Sequence, residues 1–299
     1  MADYSFETVD VFTTKRFGGN PLAVFPDARG LDGTRMQSLA GELNLSETVF
    51  VLPPDDPANT ARIRIFNRTA EMAFAGHPSI GAAFVLARLG RVSGRTMKLE
   101  VPAGVVEVDL RFDEDGTPSG ATIDVPQPLT LRAEVPAADV AACLGLAVAD
   151  IRTAGHQPTI ATMGNPYVIA ELEPSALARC EPDRAAFRRA LAVHGGPDGR
   201  FSLHVYVRRG DGLAARMFAP LAGTWEDPAT GSANAPLGAL LLSLGGADHL
   251  RLEVEQGVEM GRPSLVVVEA RRSAEGIRAK VSGSCVRVFT GSFRDEGGA

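Results

Sequence analysis

EMAFAGHPSIGAAFVLARLG, Glu71 to Gly90, can be laid over EDPATGSANAPLGALLLSLG, Glu226 to Gly245, at one constant offset. Glu71 then falls on Glu226, Gly76 on Gly231, His77 on Ser232, Leu89 on Leu244 and Gly90 on Gly245. The repeat carries along the chain. GGNPLAVF (Gly18 to Phe25) matches MGNPYVIA (Met163 to Ala170), each an Asn-Pro turn followed by a strand. A helical MQSLAGELN and a strand ETVFVL follow in the first half; FRRALAVHG and SLHVYV follow in the second. The strands RIRIF and AARMF lead into the two quoted loops. KLEVPAGVVEV and RLEVEQGVEM come after them, sharing LEV and, three residues later, a glycine that marks a bulge or tight turn. The chain therefore folds as two similar halves.

What each half must look like follows from its central helix. IGAAFVLARL (Ile80 to Leu89) is apolar on nearly every face, and LGALLLSL (Leu237 to Leu244) more so. A helix apolar all round must be covered all round, and at about three turns it is too short for a bilayer. A curled sheet is the natural cover. Many short alternating strands at hairpin spacing supply it, predicting an α+β fold with two pseudo-symmetric domains, each an antiparallel barrel-like sheet around a central helix. Gly90 and Gly245 are expected as left-handed C-terminal caps, and Pro78 as the first helical residue, with His77 as N-cap. The polar, turn-rich RFDEDGTPSG and the VPQP after it mark a boundary between Asp113 and Pro128. The expected domains are 1–120 and 121–284; CVRVFTGSF, in 285–299, is a strand that either half could take up, the first included.

Composition removes whole classes of function. With 45% hydrophobic and 22% charged residues among 299, the chain is an ordinary globular protein long enough for two domains. A net charge of −6 and no basic run longer than two arginines argue against a nucleic-acid partner. No apolar segment reaches the roughly 18 to 20 residues that span a membrane. MADYSFETVDVF lacks a signal-peptide core, so a cytoplasmic protein is expected. Cys143, Cys180 and Cys285 are scattered, which fits a reduced protein without disulfides. Neither they nor the five histidines show metal-ligand spacing, so no metal and no organic cofactor is expected.

Chemistry is expected at the helix mouths. The first turn of a helix presents N–H groups without intrahelical partners and a partial positive charge, together an anion site. The mouths are AGHPS and TGSAN; if the halves face each other, both open into one cleft that holds a small carboxylate. Gly76 and Gly231 let the backbone approach it without a Cβ. Two acids stand nearby in sequence: Glu47, opening a strand after a polar turn, and Asp227, before Pro228. Taken singly, Glu47 and Asp227 read as turn acids, and His77 and Ser232 as helix caps.

Four motifs in this order, NLSETVF, EMAFAGHPSIGAA, WEDPATGSA and EQGVEMGRPS, resemble the PhzF family of phenazine-biosynthesis isomerases and relatives without an assigned reaction. The resemblance runs from VDVFT to CVRVFTG, nearly the whole chain. It implies a diaminopimelate epimerase-like fold and a cofactor-independent isomerase acting in the interdomain cleft on a small cyclic or unsaturated carboxylic acid, similar to trans-2,3-dihydro-3-hydroxyanthranilate. In characterised members the glutamate of NLSET moves a proton between ring carbons; that glutamate is Glu47. The resemblance makes Glu47, His77 and Asp227 the catalytic set and Asn20, Ser46, Gly76, Gly231 and Ser232 the substrate-binding set, and it implies a homodimer. Departures are Asn67, Arg68 and Ala73, where relatives often have Thr, Pro and Pro. Related epimerases and racemases place a cysteine before each mouth glycine; here Ala75 and Thr230 stand there, which disfavours two-cysteine chemistry. The alternatives are an epimerase or dehydratase on another small acid, or a binding or regulatory protein of the same fold.

Overall fold

In the computed structural model, which describes residues 2–196 and 199–296, the chain divides into two compact units. One runs to Asp124 and takes back the chain from Ser282 onward; the other is Val125–Val281.

The first unit contains β1 (Ala2–Val11), β2 (Asn20–Phe25), α1 (Gly33–Leu43), β3 (Glu47–Leu52), β4 (Ala61–Phe66), β5 (Glu71–Met72), α2 (Gly76–Arg88), β6 (Thr96–Val101), β7 (Gly104–Phe112) and β8 (Pro118–Asp124). The second begins with β9 (Thr130–Glu134), α3 (Ala137–Leu144), β10 (Ile151–Arg152), β11 (Thr159–Thr162), β12 (Pro166–Leu172) and α4 (Arg184–His194). It continues through β13 (Leu203–Arg209), β14 (Gly212–Ala219), β15 (Thr224–Asp227), α5 (Gly231–Leu244), β16 (His249–Gln256) and β17 (Ser264–Ser273). The last strand, β18 (Gly276–Asp295), passes through the boundary, and its part beyond Ser282 pairs with β1.

Strand pairing is duplicated between the units. β2 is parallel to β3 and β12 to β13; β4 is antiparallel to β3 and β14 to β13. β4 is also parallel to β6 and β14 to β16, whose hairpin partners are β7 and β17. Antiparallel pairing dominates as expected, and the two parallel pairs in each unit arise from strand–helix–strand crossovers that bring the chain back to the end it left. In the first unit β1, β2, β3, β4, β6, β7, β8 and β18 pair in a closed ring. In the second, the N–H groups of Val125 and Leu129 donate to Ala279 and Ile277 at 2.9 and 2.8 Å, adding to the edge beside β18.

The central helices fill the sheets. Every residue of α2 from Gly76 to Leu86 is buried, and most of α5 from Gly231 to Leu242. Gly81 is needed for this fit: a Cβ there would stand 2.4 Å from Leu22 Cδ2 on β2. Amphipathic helices cover the outside, α1 over Phe25, Phe50 and Phe66, and α3 with α4 over Val168, Leu203 and Val205.

Two cap assignments are corrected. Ala75, in an extended conformation, is the N-cap of α2, its carbonyl accepting from Ser79 N–H and Oγ at 3.3 and 2.9 Å. His77 is therefore the second residue of the helix and Pro78 the third. A proline fits there as well as at the first position, because no N–H of the first turn has an intrahelical partner. Gly90 is left-handed (φ 68°), as expected, but Gly245 is extended (φ −104°). Arg272 takes over the capping, donating through Nη2 to the carbonyls of Leu242 and Gly245 at 3.1 and 2.9 Å.

Candidate active site

Glu47 is the first residue of β3, registered against Leu22 of parallel β2, with its side chain 16% exposed. Its Oε2 lies 3.2 Å from Nε2 of His77, which α2 holds in its buried first turn. Burial pushes the His77 imidazole down to about 3, so the ring is neutral at pH 7. The neutral imidazole faces the carboxylate at this distance without the alignment of a hydrogen bond between Oε2 and Nε2. The pair is a carboxylate beside a fixed dipole.

Three other expected residues belong to this unit. Asn20 opens β2 and is fully buried; Ser46, half-buried, immediately precedes β3. Gly76 is the first residue of α2, and a Cβ there would meet Ile123 Cδ1 at 3.4 Å, an ordinary contact. Packing within the unit does not demand glycine at that position. The loop entering the mouth is tied down by Arg64, whose guanidinium grips Glu71 through two bonds of 2.7 and 2.6 Å and lies 5.1 Å from the Phe66 ring centre.

The second unit repeats the support and changes the mouth. Arg216 grips Glu226 at 2.8 and 2.8 Å and lies 4.9 Å from the Phe218 ring centre. It also donates to the carbonyls of Leu177 and Cys180. Asp227 ends β15 and is buried, its Oδ2 accepting from the hydroxyl of Thr230, the N-cap of α5. Gly231 is the first residue of α5 and Ser232 the second; Ser232 is thus not the cap, and its Oγ lies 2.7 Å from Tyr167 OH. Around Thr230 stands a buried cluster of Gln256, Asn234 and His204. Glu47 and His77 are thus brought together in one unit, Asp227 and Ser232 within one mouth of the other.

Thr230, Tyr167, Asn234 and Gln256 were missed as participants by reading the sequence. Gln256 lies in EQGVEMGRPS, a motif quoted only for its resemblance, and Tyr167 stands opposite Leu22 in the repeated NP turn. Among the described residues no group of three or more His, Cys, Asp or Glu side chains could hold a metal ion. No helix among them is long and apolar enough to cross a membrane.

The family model described as "phenazine biosynthesis-like protein" matches residues 9–291. The chain belongs to the PhzF family. An uncharacterized isomerase of Mesorhizobium japonicum is 40% identical to it over 98% of this chain and 99% of its own length. The trans-2,3-dihydro-3-hydroxyanthranilate isomerase of Pseudomonas chlororaphis is 33% identical over 97% and 99%. Among solved structures, a PhzF-family phenazine biosynthesis protein of Bacillus anthracis superposes with a TM-score of 0.87 at 24% identity, covering 99% of this chain and all of that one. The same fold extends to a probable proline racemase of Agrobacterium radiobacter, with a TM-score of 0.65 at 12% identity over 96% and 92% of the two chains. The fold is thus the α+β fold shared by PhzF proteins and the racemase and epimerase group.

Within this PhzF-family isomerase, the residues before the mouth glycines, Ala75 and Thr230, are the N-caps of α2 and α5. Neither mouth carries a thiol there. Asn67 and Arg68 build a turn of their own, Asn67 Oδ1 accepting from the N–H groups of Thr69 and Ala70 at 2.8 Å each. It is a turn closed by a side chain in place of a backbone carbonyl.

Proposed function

We propose that this PhzF-family isomerase shifts a proton between two carbons of a small cyclic or unsaturated carboxylic acid, of the trans-2,3-dihydro-3-hydroxyanthranilate type, without cofactor or metal. The observation that carries the reading is Glu47 Oε2 at 3.2 Å from the buried, neutral His77. Glu47 takes the proton from one carbon as general base. As the conjugate acid it returns the proton to another carbon on the same face, and no external proton source is needed.

His77 is assigned to orienting the carboxylate. A buried, neutral ring packed against the carboxylate limits where it can turn and does not compete as a proton source at pH 7. The N–H groups that open α2 and α5, at Gly76 and Gly231, are assigned to the substrate carboxylate, with Asn20, Ser46 and Ser232 holding ring substituents and Asp227 stabilising charge that develops in transfer. Support comes from the 33% identity to a named isomerase of this substrate over nearly the full length.

We further assign the enzyme to the cytoplasm as a homodimer. Three buried free cysteines fit a reducing compartment, and sedimentation of the 31.5 kDa chain checks the oligomer. The functional test is proton exchange in deuterated water over a panel of cyclic acids that includes trans-2,3-dihydro-3-hydroxyanthranilate. Deuterium should enter the product at the receiving carbon only in part, since one carboxyl carries the proton. Absence of turnover and of exchange across the panel would exclude the reading.

A further inference from the structure

Gln256, the last residue of β16, is 1% exposed and uses its full hydrogen-bonding capacity. Oε1 accepts from Thr230 N–H at 3.2 Å and from Asn234 Nδ2 at 2.9 Å. Nε2 donates to the Asp227 carbonyl at 2.8 Å and to Thr230 Oγ1 at 3.1 Å. Direction follows from these bonds. A hydroxyl has one hydrogen, and because Thr230 Oγ1 accepts from Gln256, its own hydrogen goes to Asp227 Oδ2.

Asn234 extends the network. Its Nδ2 also donates to Thr230 O at 3.0 Å, so its Oδ1 must accept from His204 Nε2, 3.0 Å away. His204, held neutral by burial that lowers it to about 4, therefore carries its proton on Nε2. Thr230, Asn234 and Gln256 are all buried, so each bond is made away from competing water.

The other helix mouth has no amide at the aligned position. KLEVPAG and RLEVEQG align Ala103 with Gln256, and Ala103 ties its loop by a single backbone bond, N–H to Ala73 O at 3.1 Å. A mouth of the same architecture therefore stands without a glutamine at this position. Fold alone does not call for it.

We propose that Gln256 is a positioning residue of the α5 mouth, clamping the turn from Asp227 to Thr230 so that the Asp227 carboxylate and the N–H groups of Gly231 and Ser232 meet the substrate in one fixed geometry. The proposal rests on the functional reading above. Gln256 itself does not touch the substrate; it acts through Thr230 and the backbone of Asp227.

Gln256→Met keeps the length and removes all four bonds. Amide exchange in the full chain should show Thr230 N–H about tenfold faster than in wild type, the scale of one hydrogen bond's net contribution, while Leu240 and Leu242 within α5 stay unchanged. With trans-2,3-dihydro-3-hydroxyanthranilate as probe, KM should rise about tenfold because the clamp presents the N–H groups that bind, and kcat should fall about three- to tenfold because it also presents Asp227, well short of the loss expected from removing the base. Thr230→Val, which removes the hydroxyl at nearly constant volume, should raise KM similarly if Gln256→Met folds poorly, and Thr230→Ser should bring KM back toward wild type. Unchanged Thr230 exchange in Gln256→Met, or an unchanged KM in a folded Gln256→Met or Thr230→Val protein, overturns the proposal. Glu47→Gln run in parallel separates the two ideas, because retained turnover there removes the functional reading while the exchange result still decides the clamp.

Discussion

Glu47 Oε2 stands 3.2 Å from His77 Nε2, and the imidazole it faces is neutral. The strand beginning at Glu47 and the helix containing His77 come from segments that share no local contact in sequence. Their meeting places an acid that can accept a proton beside a group that cannot supply one at pH 7.

Glu47→Gln tests the base directly. Glutamine keeps the size and one amide oxygen beside His77, but it cannot take up a carbon-bound proton. Turnover of a verified substrate should fall by roughly 10²- to 10⁴-fold, with KM nearly unchanged and circular dichroism as in wild type. Near-normal turnover would move the base to another group.

His77 also predicts how stability depends on pH. Burial holds it near 3 in the folded chain, against about 6.5 for an ordinary histidine, so the unfolded chain binds a proton through this window that the folded chain refuses. His204, near 4, acts in the same direction. The stability these neutral rings permit is complete above about pH 6.5 and is lost as pH falls, down to about 4 for His204 and about 3 for His77. Each ring contributes up to about 1.4 kcal/mol per pH unit. Urea midpoints measured from pH 7 to 4.5 should fall for the wild type and fall less steeply for His77→Gln. Parallel curves would show that His77 titrates alike in both states.

The central helices were legible because apolarity on every face has one solution in a water-soluble chain, whereas Glu47, taken singly, read as a turn acid and was singled out only by the resemblance of NLSETVF to the family. The caps were less legible. Pro78 satisfies the same rule at the first or third helical position, and only the extended backbone of Ala75 decides between them. Gly245 looked like a left-handed cap until Arg272, distant in sequence, proved to hold the helix's last carbonyls. The cluster around Gln256 was hidden for a related reason. Two of its four bonds go to backbone atoms, which leave no residue-type signature, and its side-chain partners are 22 and 26 positions away.

Gly81 offers a test of the helix-in-sheet packing. A valine there would put its Cβ 2.4 Å from Leu22 Cδ2, so α2 or β2 has to shift. Gly81→Val should cost about 1–3 kcal/mol in urea unfolding. Gly90→Ala is the control, strained by its φ of 68° but with no atom within 4 Å of the added Cβ. A Gly81→Val protein as stable as wild type would show that the close approach is not required.

The repeated arginine–glutamate grip gives one interaction in two environments. Arg216 and Glu226 have side chains 8% and 10% exposed, whereas Arg64 and Glu71 are 29% and 32% exposed. Both pairs are two-pronged, and both arginines lie over a phenylalanine. Removing one partner of the buried pair strands a charge without water. Glu226→Ala should therefore destabilise by about 3–5 kcal/mol. Glu71→Ala leaves Arg64 in reach of solvent, and its coupling energy in a double-mutant cycle should be about 1 kcal/mol or less. The functional consequence differs as well. Glu226 directly precedes Asp227, so its loss frees the turn that Gln256 and Thr230 hold, and KM should rise even at temperatures where the variant is fully folded. Equal losses of stability from Glu226→Ala and Glu71→Ala, measured by urea unfolding, would mean that burial does not separate the two copies.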